Sequence, residues 1–465
     1  MDKNLLHQKI ENRKQDFFAI NDQIWEVPEL RFRELQSFRI QTDEMERLGF
    51  TVEKGVAGLA TAFTASWGGG KPVIAILGEY DALANLSQVA DLPQKSPVVE
   101  GAPGHGCGHN TLGTAAMAAA AAVRDYLEEQ NLPGTIRYYG CPAEESGAGK
   151  AFLVEAGCFD DVDVCLAWHP DAVDSVGFGA LASLKSIVEF HGTSAHAAAC
   201  PELGRSALDA AELMNVGVNF LREHVPDSVR MHYAFTNAGG EMPNVVQSEA
   251  TLLYAVRART MSEMLAVYDR IVKIANGAAM MTETQVTLHP LCAYADIIQN
   301  RTLTDVLEQC MKEIGPMQLD DDESAYARAF TATLPQQAQE KVARRARSNS
   351  CELTPVAAYI EDMRGDSLPV SNDVGNVSWI VPTAMFTAAC YAQGTPGHSW
   401  QLAAQGKSSI AHKGLVRAVE ILAMAAVQCM EVPDLVERAK RDWDADMTGK
   451  IYNGMLSPDS KERLS

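Results

Sequence analysis

Hydrophobic and polar positions recur along this chain with two different periods, and the changes of period mark its elements. Residues 16–48 carry apolar side chains at Trp25, Leu30, Phe32, Leu35 and Phe38, an irregular helical face interrupted at Pro28. The run PVIAILGEYDAL (72–83) stays apolar almost to its end, the pattern of a strand buried on both faces. GTIRYYGCPAEE (134–145) and VDVCLAWHP (162–170) repeat it, and TAMFTAACYAQGTPGHSW (383–400) does so again. A loop rich in Pro, Gly and Ser spans 84–109. A helix of small residues then runs from Thr111 to Glu129, with Asn110 as its expected N-cap. Strands alternating with helices predict an α/β fold with a mostly parallel sheet covered on both faces.

Residues 181–298 follow a different rhythm. A strand at 184–191 precedes an amphipathic helix at 204–223, with Leu208, Ala211, Met214, Val218 and Leu221 on one face. Strands at 229–236 and 249–257 flank the turn-rich NAGGEMPN, a second helix covers 261–279, and a last strand covers 284–289. The order β-α-β-β-α-β is that of a ferredoxin-like sandwich. The chain therefore divides into a first part of the larger domain (1–180), an inserted domain (181–298) and a second part (299–465). Within that last part, 317–367 is polar and helical, RRARSNS (344–350) is an expected exposed loop, and the tail beyond 432 is expected to end in a flexible stretch.

Composition narrows the field. The 465 residues are 47% hydrophobic and 21% charged, proportions of a globular protein with a large core. Lys and Arg number 39 against 60 Asp and Glu, a net charge of -21, so phosphate backbones and anionic lipid are repelled, which argues against nucleic acid and membrane as partners. The longest apolar stretch, Ala115 to Val123, is too short to span a bilayer. A polar N-terminus and ten Cys without regular spacing predict a cytoplasmic protein.

The candidate chemistry lies where the apolar strands end. In His105-Gly-Cys107-Gly-His109, residues two apart project to the same side of an extended loop, aiming metal-capable side chains at one place. Glu144 and Glu145 follow a buried strand, and two adjacent carboxylates in extended chain diverge, so that one can hold a metal while the other faces a water. His169 and His398 each follow an apolar strand. A lone histidine in either place is more often structural. The shared position of Asp81, Cys107, His109, Glu144, Glu145, His169 and His398 at outgoing strand ends changes that, because open α/β sheets bind ligands there. Thiolate, imidazole and carboxylate together suit Zn or Mn, and five ligands exceed one tetrahedral site, which points to two divalent ions. The inserted domain adds His196 in GTSAHAAA, Asn244 in PNVVQ and Arg257 in LLYAVRAR, each unremarkable alone.

Taken in order, LGEYDALA, GHGCGHNTLGTAA, GCPAEESGAGK, AWHP, GTSAHAA, LGRSALDAAELM, PNVVQ, VGNVSW and GTPGHSWQ resemble the dinuclear metallo-aminohydrolases that include aminoacylases, glutamate carboxypeptidase and indole-acetyl-amino-acid hydrolases. The resemblance covers about 16–430 and is nearest to the branch acting on p-aminobenzoyl-glutamate. It implies hydrolysis of an N-acyl or N-aroyl amino acid and two divalent ions, Mn or Zn, held by Cys107, His109, Glu145, His169 and His398. It further implies Glu144 as general base and Asp81 as the acid orienting the metal site. His196 would be a lid histidine reaching into a partner's active site, and Asn244 and Arg257 would hold the substrate carboxylate. His105 matches no ligand and is expected to be structural. The inserted domain becomes a lid and dimerisation domain, in a homodimer or in a heteromer with a related subunit. Three departures stand out. Glu79 occupies a position that other branches fill with His, Asn376 stands where Asp is expected, and 317–367 is longer than in simple aminoacylases. Two rival readings remain. One is a Cys107–His109 thiol amidase, which leaves Glu145, His169 and His398 without a role. The other is a non-catalytic subunit, which the complete ligand set opposes.

Overall fold

The computed structural model describes residues 1–457 and 459–464. Its strands of three residues or more are, in chain order, β1 (Thr51–Lys54), β2 (Phe63–Gly69), β3 (Val73–Glu79), β4 (Gly134–Cys141), β5 (Val164–Asp171), β6 (Asp174–Val176), β7 (Ala182–His191), β8 (Arg230–Asn237), β9 (Glu249–Ala258), β10 (Gln285–Tyr294), β11 (Ile360–Asp362) and β12 (Thr383–Ala389). The larger sheet has the order β1-β2-β4-β3-β5-β12-β6-β11. Its centre, β4-β3-β5-β12, is parallel throughout, while β1–β2, β2–β4 and β12–β6 are antiparallel. Every residue of β3 and β12 is buried, as the continuous apolar runs predict. The register pairs Glu79 with Cys141 and His169 with Thr387, so the central strands end along one edge.

The small-residue helix His109–Gln130 packs on this sheet, and helix Ser409–Glu431 packs against both it and the sheet. Its alanines from Ala115 to Ala122 are buried, and short side chains let helix and strand approach closely. At Gly113 an added Cβ would sit 2.4 Å from the Glu79 carbonyl oxygen. The helix begins two residues earlier than its sequence predicts. Gly108, with φ +79, occupies the cap position, and a Cβ there would meet the Tyr391 hydroxyl at 2.1 Å. Asn110 is not the cap: its side chain turns inward and donates to the Gly406 carbonyl (2.9 Å) and Asn21 Oδ1 (3.0 Å).

The chain forms two compact units. The first comprises Met1–Gly179, Ile298–Asp366 and Val377–Gly449; the second comprises Ala180–Ile297, Ser367–Asn376 and the described part of Lys450–Ser465. Segments 367–376 and 450–464, read from sequence as parts of the larger domain, thus lie with the second unit. That unit is an antiparallel sheet of order β10-β7-β9-β8 with helices Ala207–Leu221 and Met261–Thr282 packed on it, the ferredoxin-like arrangement. Asn376 is buried there. Its amide donates to the Ala293 carbonyl (2.8 Å) and the Tyr452 hydroxyl (2.9 Å), and the first of these is a bond that an ionised Asp could not make.

Two further expectations change. RRARSNS is mostly not a loop: helix Gln336–Ser348 includes Arg344 to Ser348, and the Arg345 guanidinium pairs with both carboxylate oxygens of Glu361. The tail forms helix Pro433–Met447, and further on the Gly454 carbonyl accepts from the Ala293 amide (2.9 Å). The expected flexible end includes Pro458 and Ser465, which lie outside the described residues. No helix among the described residues is long and apolar enough to cross a membrane, and none of the ten cysteines, all among the described residues, is in a disulfide.

Candidate metal centre and active site

Five side chains singled out by sequence converge at the strand ends of the first unit. Ligand atoms of Cys107, His109 and His169 lie within 4.8 Å of one another, and so do those of Cys107, Glu145 and His398. Cys107 belongs to both sets. The loops are tied together: the His398 amide donates to the Gly106 carbonyl at 2.8 Å, which joins the loop that follows β12 to the Cys107 loop.

Hydrogen bonds set the histidine tautomers. His109 Nδ1 donates to Asp81 Oδ1 at 2.9 Å, and His169 Nδ1 donates to the Pro170 carbonyl at 2.8 Å. With Nδ1 so engaged, Nε2 of each ring is the atom that faces the centre, the orientation that outer-shell partners impose on metal-binding histidines. His169 Nε2 is 3.4 Å from Cys107 Sγ, and His398 Nε2 is 3.1 Å from Glu145 Oε1. Asp81 does double duty: its other oxygen accepts from the Glu145 amide at 2.8 Å. Glu144 is buried, with Oε2 4.0 Å from His109 Nε2.

The electrostatics match a cation site. Burial, and next the Glu145 carboxylate, push the Cys107 thiol up, so a thiolate there needs positive charge beside it. Burial works against ionised Glu145, yet His398 and then His109 pull its carboxyl down to about 2. Burial, with His109 nearby, holds His169 below its ordinary value. Three buried ligand-type atoms, Glu79 Oε2, His109 Nε2 and Glu145 Oε1, make no hydrogen bond of good geometry and are met only by ion-pair contacts, His109 with Glu79 at 3.2 Å and His398 with Glu145 at 3.1 Å. Such atoms left unmatched are costly, and a divalent cation would satisfy them. The donor set would suit divalent cations at both groups, each of which includes Cys107.

His105 lies outside the cluster, as expected: its Nε2 donates to the Ile24 carbonyl at 3.1 Å, and burial pushes its ring down to about 3. Two charged residues that sequence reasoning did not assign are present. Glu79, at the end of β3, pairs with the buried Lys150 at 2.6 Å and lies 3.2 Å from His109 Nε2. Glu34 sits buried under the Glu144 turn, where its Oε1 accepts from the Ala143 amide at 2.9 Å. The signal available for Glu79 was its place beside Asp81. For Glu34 there was none, because PELRFREL reads as broken helix.

In the second unit, the His196 and Asn244 loops are brought together. His196 bridges Val245, and the Ala197 amide donates to the Asn244 carbonyl at 2.9 Å. His196 is exposed, and its Nδ1 accepts from the amides of Ala198 (3.2 Å) and Ala199 (3.1 Å), which leaves the ring proton on Nε2. Arg257 is not with them. It pairs with Ser183 near the start of β7, whereas the His196 loop follows His191, which pairs with Glu249. At about 3.3 Å per residue the two ends of β9 are roughly 26 Å apart.

An open α/β sheet with imidazole, thiol and carboxylate ligands around a buried carboxylate at its strand ends defines a metal-dependent hydrolase of the dinuclear kind. Similarity to known proteins narrows this. Residues 75–349 match peptidase family M20/M25/M40, and the chain belongs to that family. It is 44% identical over 451 residues to one of the subunits of p-aminobenzoyl-glutamate hydrolase from Escherichia coli K12, covering 93% of each chain. It is 27% identical over 450 residues to Xaa-Arg dipeptidase of Mus musculus, covering 94% of this chain and 90% of that one. Among solved structures, an aminobenzoyl-glutamate utilization protein from Klebsiella pneumoniae aligns with TM-score 0.60 at 18% identity, over 91% of this chain and 98% of that one. A dinuclear metal binding M20 peptidase from Bacillus subtilis aligns with TM-score 0.55 at 17% identity, over 90% and 99%.

Proposed function

We propose that this chain hydrolyses the amide bond of an N-aroyl amino acid, with p-aminobenzoyl-glutamate as substrate and p-aminobenzoate and glutamate as products. The observation that carries the reading is the pair of ligand sets sharing Cys107 beside the buried Glu144. The 44% identity to a protein named as part of p-aminobenzoyl-glutamate hydrolase supports the choice of substrate.

Cys107, His109, Glu145, His169 and His398 would hold two divalent ions, Mn or Zn. When bound, such ions polarise an amide carbonyl and acidify a water toward a pKa of roughly 7. Glu144 takes the proton from the attacking water and returns it to the leaving nitrogen, the two halves of general base and general acid work. Asp81 keeps His109 and Glu145 aimed. His196, with its proton on Nε2, donates to the oxyanion that develops on the carbonyl; Arg257 holds the amino-acid carboxylate, and Asn244, carried beside His196, joins it from the other protomer.

The reading includes a partner protomer. His196 and Arg257 stand at opposite ends of one small sheet, a separation that one copy does not close around a single small substrate. This supports a dimer through the second unit in which His196 serves the partner's site. The partner is a second copy or a related chain. The E. coli relative is itself named as one component of its hydrolase, which favours testing both. A cytoplasmic location is part of the same proposal.

The test is release of p-aminobenzoate from p-aminobenzoyl-glutamate by the purified chain, with Mn or Zn and again with chelator. Metal-dependent release supports the reading, and Glu144→Gln should retain both metals while losing most turnover. Full turnover by Glu144→Gln overturns the base assignment. Metal bound without release moves the substrate to another N-acyl amino acid or a dipeptide, or calls for the related partner chain.

A further inference from the structure

The turn that carries Glu144 and Glu145 is built from backbone conformations that residues other than glycine rarely adopt. Ala143 has φ +58, Ser146 has φ +67 and Ala148 has φ +51. A left-handed backbone at such residues persists only where its surroundings hold it. Two acidic side chains do so at two of its amides. Asp81 accepts from the Glu145 amide, and Glu34 Oε1 accepts from the Ala143 amide at 2.9 Å.

Glu34 is itself firmly placed. The same Oε1 accepts from the Phe32 amide (2.9 Å), and the Thr61 hydroxyl is hydrogen-bonded to Oε2 at 2.9 Å. The segment around it is strapped to the end of β3: the Ala82 amide donates to the Glu29 carbonyl at 2.8 Å, and Leu30 bridges Ala82 in parallel. Phe32 lies against the same turn, so close that a Cβ on Gly147 would meet its ring at 3.0 Å.

We propose that Glu34 is a positioning residue for the general base. By holding the Ala143 amide, its carboxyl keeps the turn in the conformation that aims Glu144, an inference that rests on Glu144 acting as the base. Burial, and next the Asp81 carboxylate, raise the Glu34 carboxyl to about 8. A neutral acid there adds no charge to a region already holding Asp81, Glu144 and Glu145, and Gln is its near-isostere.

The experiment compares metal-loaded Glu34→Ala, Glu34→Asp and Glu34→Gln with the wild type in full-length protein. Glu34→Ala should lower kcat by about 100-fold, with KM and metal content little changed, as a misplacement near 1 Å does. Glu34→Asp is a methylene too short to reach Ala143, and it should show the same loss if the alanine variant does not fold. Glu34→Gln keeps an acceptor for the amides and should stay within about tenfold of the wild type. Adding Ala143→Gly to Glu34→Ala should restore part of kcat, because glycine takes this φ unaided. Amide exchange across 141–148 should quicken in the Ala and Asp variants, a readout that needs no substrate. The proposal is overturned by kcat within twofold of the wild type in Glu34→Asp or Glu34→Ala, by unchanged exchange, or by no rescue from Ala143→Gly. Full activity in Glu144→Gln overturns the base assignment instead, so the two failures are distinct.

Discussion

Asp81→Asn exchanges one carboxylate oxygen for an NH2 group and puts the two contacts of the Asp81 side chain in conflict. In the wild type, Oδ1 accepts from His109 Nδ1 at 2.9 Å and Oδ2 accepts from the Glu145 amide at 2.8 Å. Asn has one acceptor and one donor, so either orientation fails somewhere. With its oxygen toward His109, its NH2 faces the Glu145 N–H, donor against donor in a buried place, at about 1–3 kcal/mol. With its NH2 toward His109, the ring must present a lone pair from Nδ1 and carry its proton on Nε2. The atom that faces the cluster can then no longer bind a metal. Loss of an outer-shell partner typically lowers metal affinity by 10–100-fold, which corresponds to about 1.4–2.7 kcal/mol. We therefore expect Asp81→Asn to bind its metals 10–100-fold more weakly than the wild type. The assay is competition for Zn or Mn against a chelator of known affinity, with metal content measured after equilibration. Circular dichroism checks that the fold is retained. Metal affinity within threefold of the wild type in a folded variant would refute the reasoning, because neither conflict would then be felt at the ligands.

Three further outcomes follow from the same geometry. Lys150→Met should destabilise the protein by about 3–5 kcal/mol, since it strands the buried Glu79 carboxylate. Glu79→Met in the same chain should recover much of this, and equal urea midpoints for single and double variants would contradict the pairing. Gly149→Ala drives a Cβ to 1.9 Å from the Pro142 carbonyl oxygen, so it should cost about 1–3 kcal/mol and displace the Glu144 turn. Wild-type kcat in that variant would count against the rigidity of the turn. Glu323 completes the capping box of helix Asp321–Ala332, where burial is outweighed by Lys413 and the Asp320 amide, so its carboxyl lies below the ordinary 4.5. Its stabilisation is present above that value and fades as pH falls through the folded pKa. Glu323→Gln should thus be less stable by about 1 kcal/mol at pH 7 and equal to the wild type in acid, as read from melting temperatures across pH.

Much of this protein was legible in its sequence, because the signals are local and strong. Continuous apolar runs located β3, β4, β5 and β12, since a strand covered on both faces has no polar face to alternate. The change to a β-α-β-β-α-β rhythm after residue 181 located the second unit's sandwich. The strand-end rule gathered Cys107, His109, Glu144, Glu145, His169 and His398 into one candidate site, and the fold brings their side chains together there.

What the tertiary structure alone decided depends on contacts between residues far apart in the chain. Asn110 turned inward because Asn21 and the Gly406 carbonyl lie beneath it, and no local rule contains that partner. The opposition of His196 and Arg257 is a matter of register along β9, which periodicity leaves open. Glu79 and Lys150, 71 residues apart, share one buried space. Glu34 reaches Ala143 across 109 residues. The sequence by itself determined which residue types gather at the strand ends, because side-chain pattern and strand polarity are local properties of the chain. Packing decided which carboxylates hold the others in place, because a buried charge takes its role from partners supplied only by the folded chain.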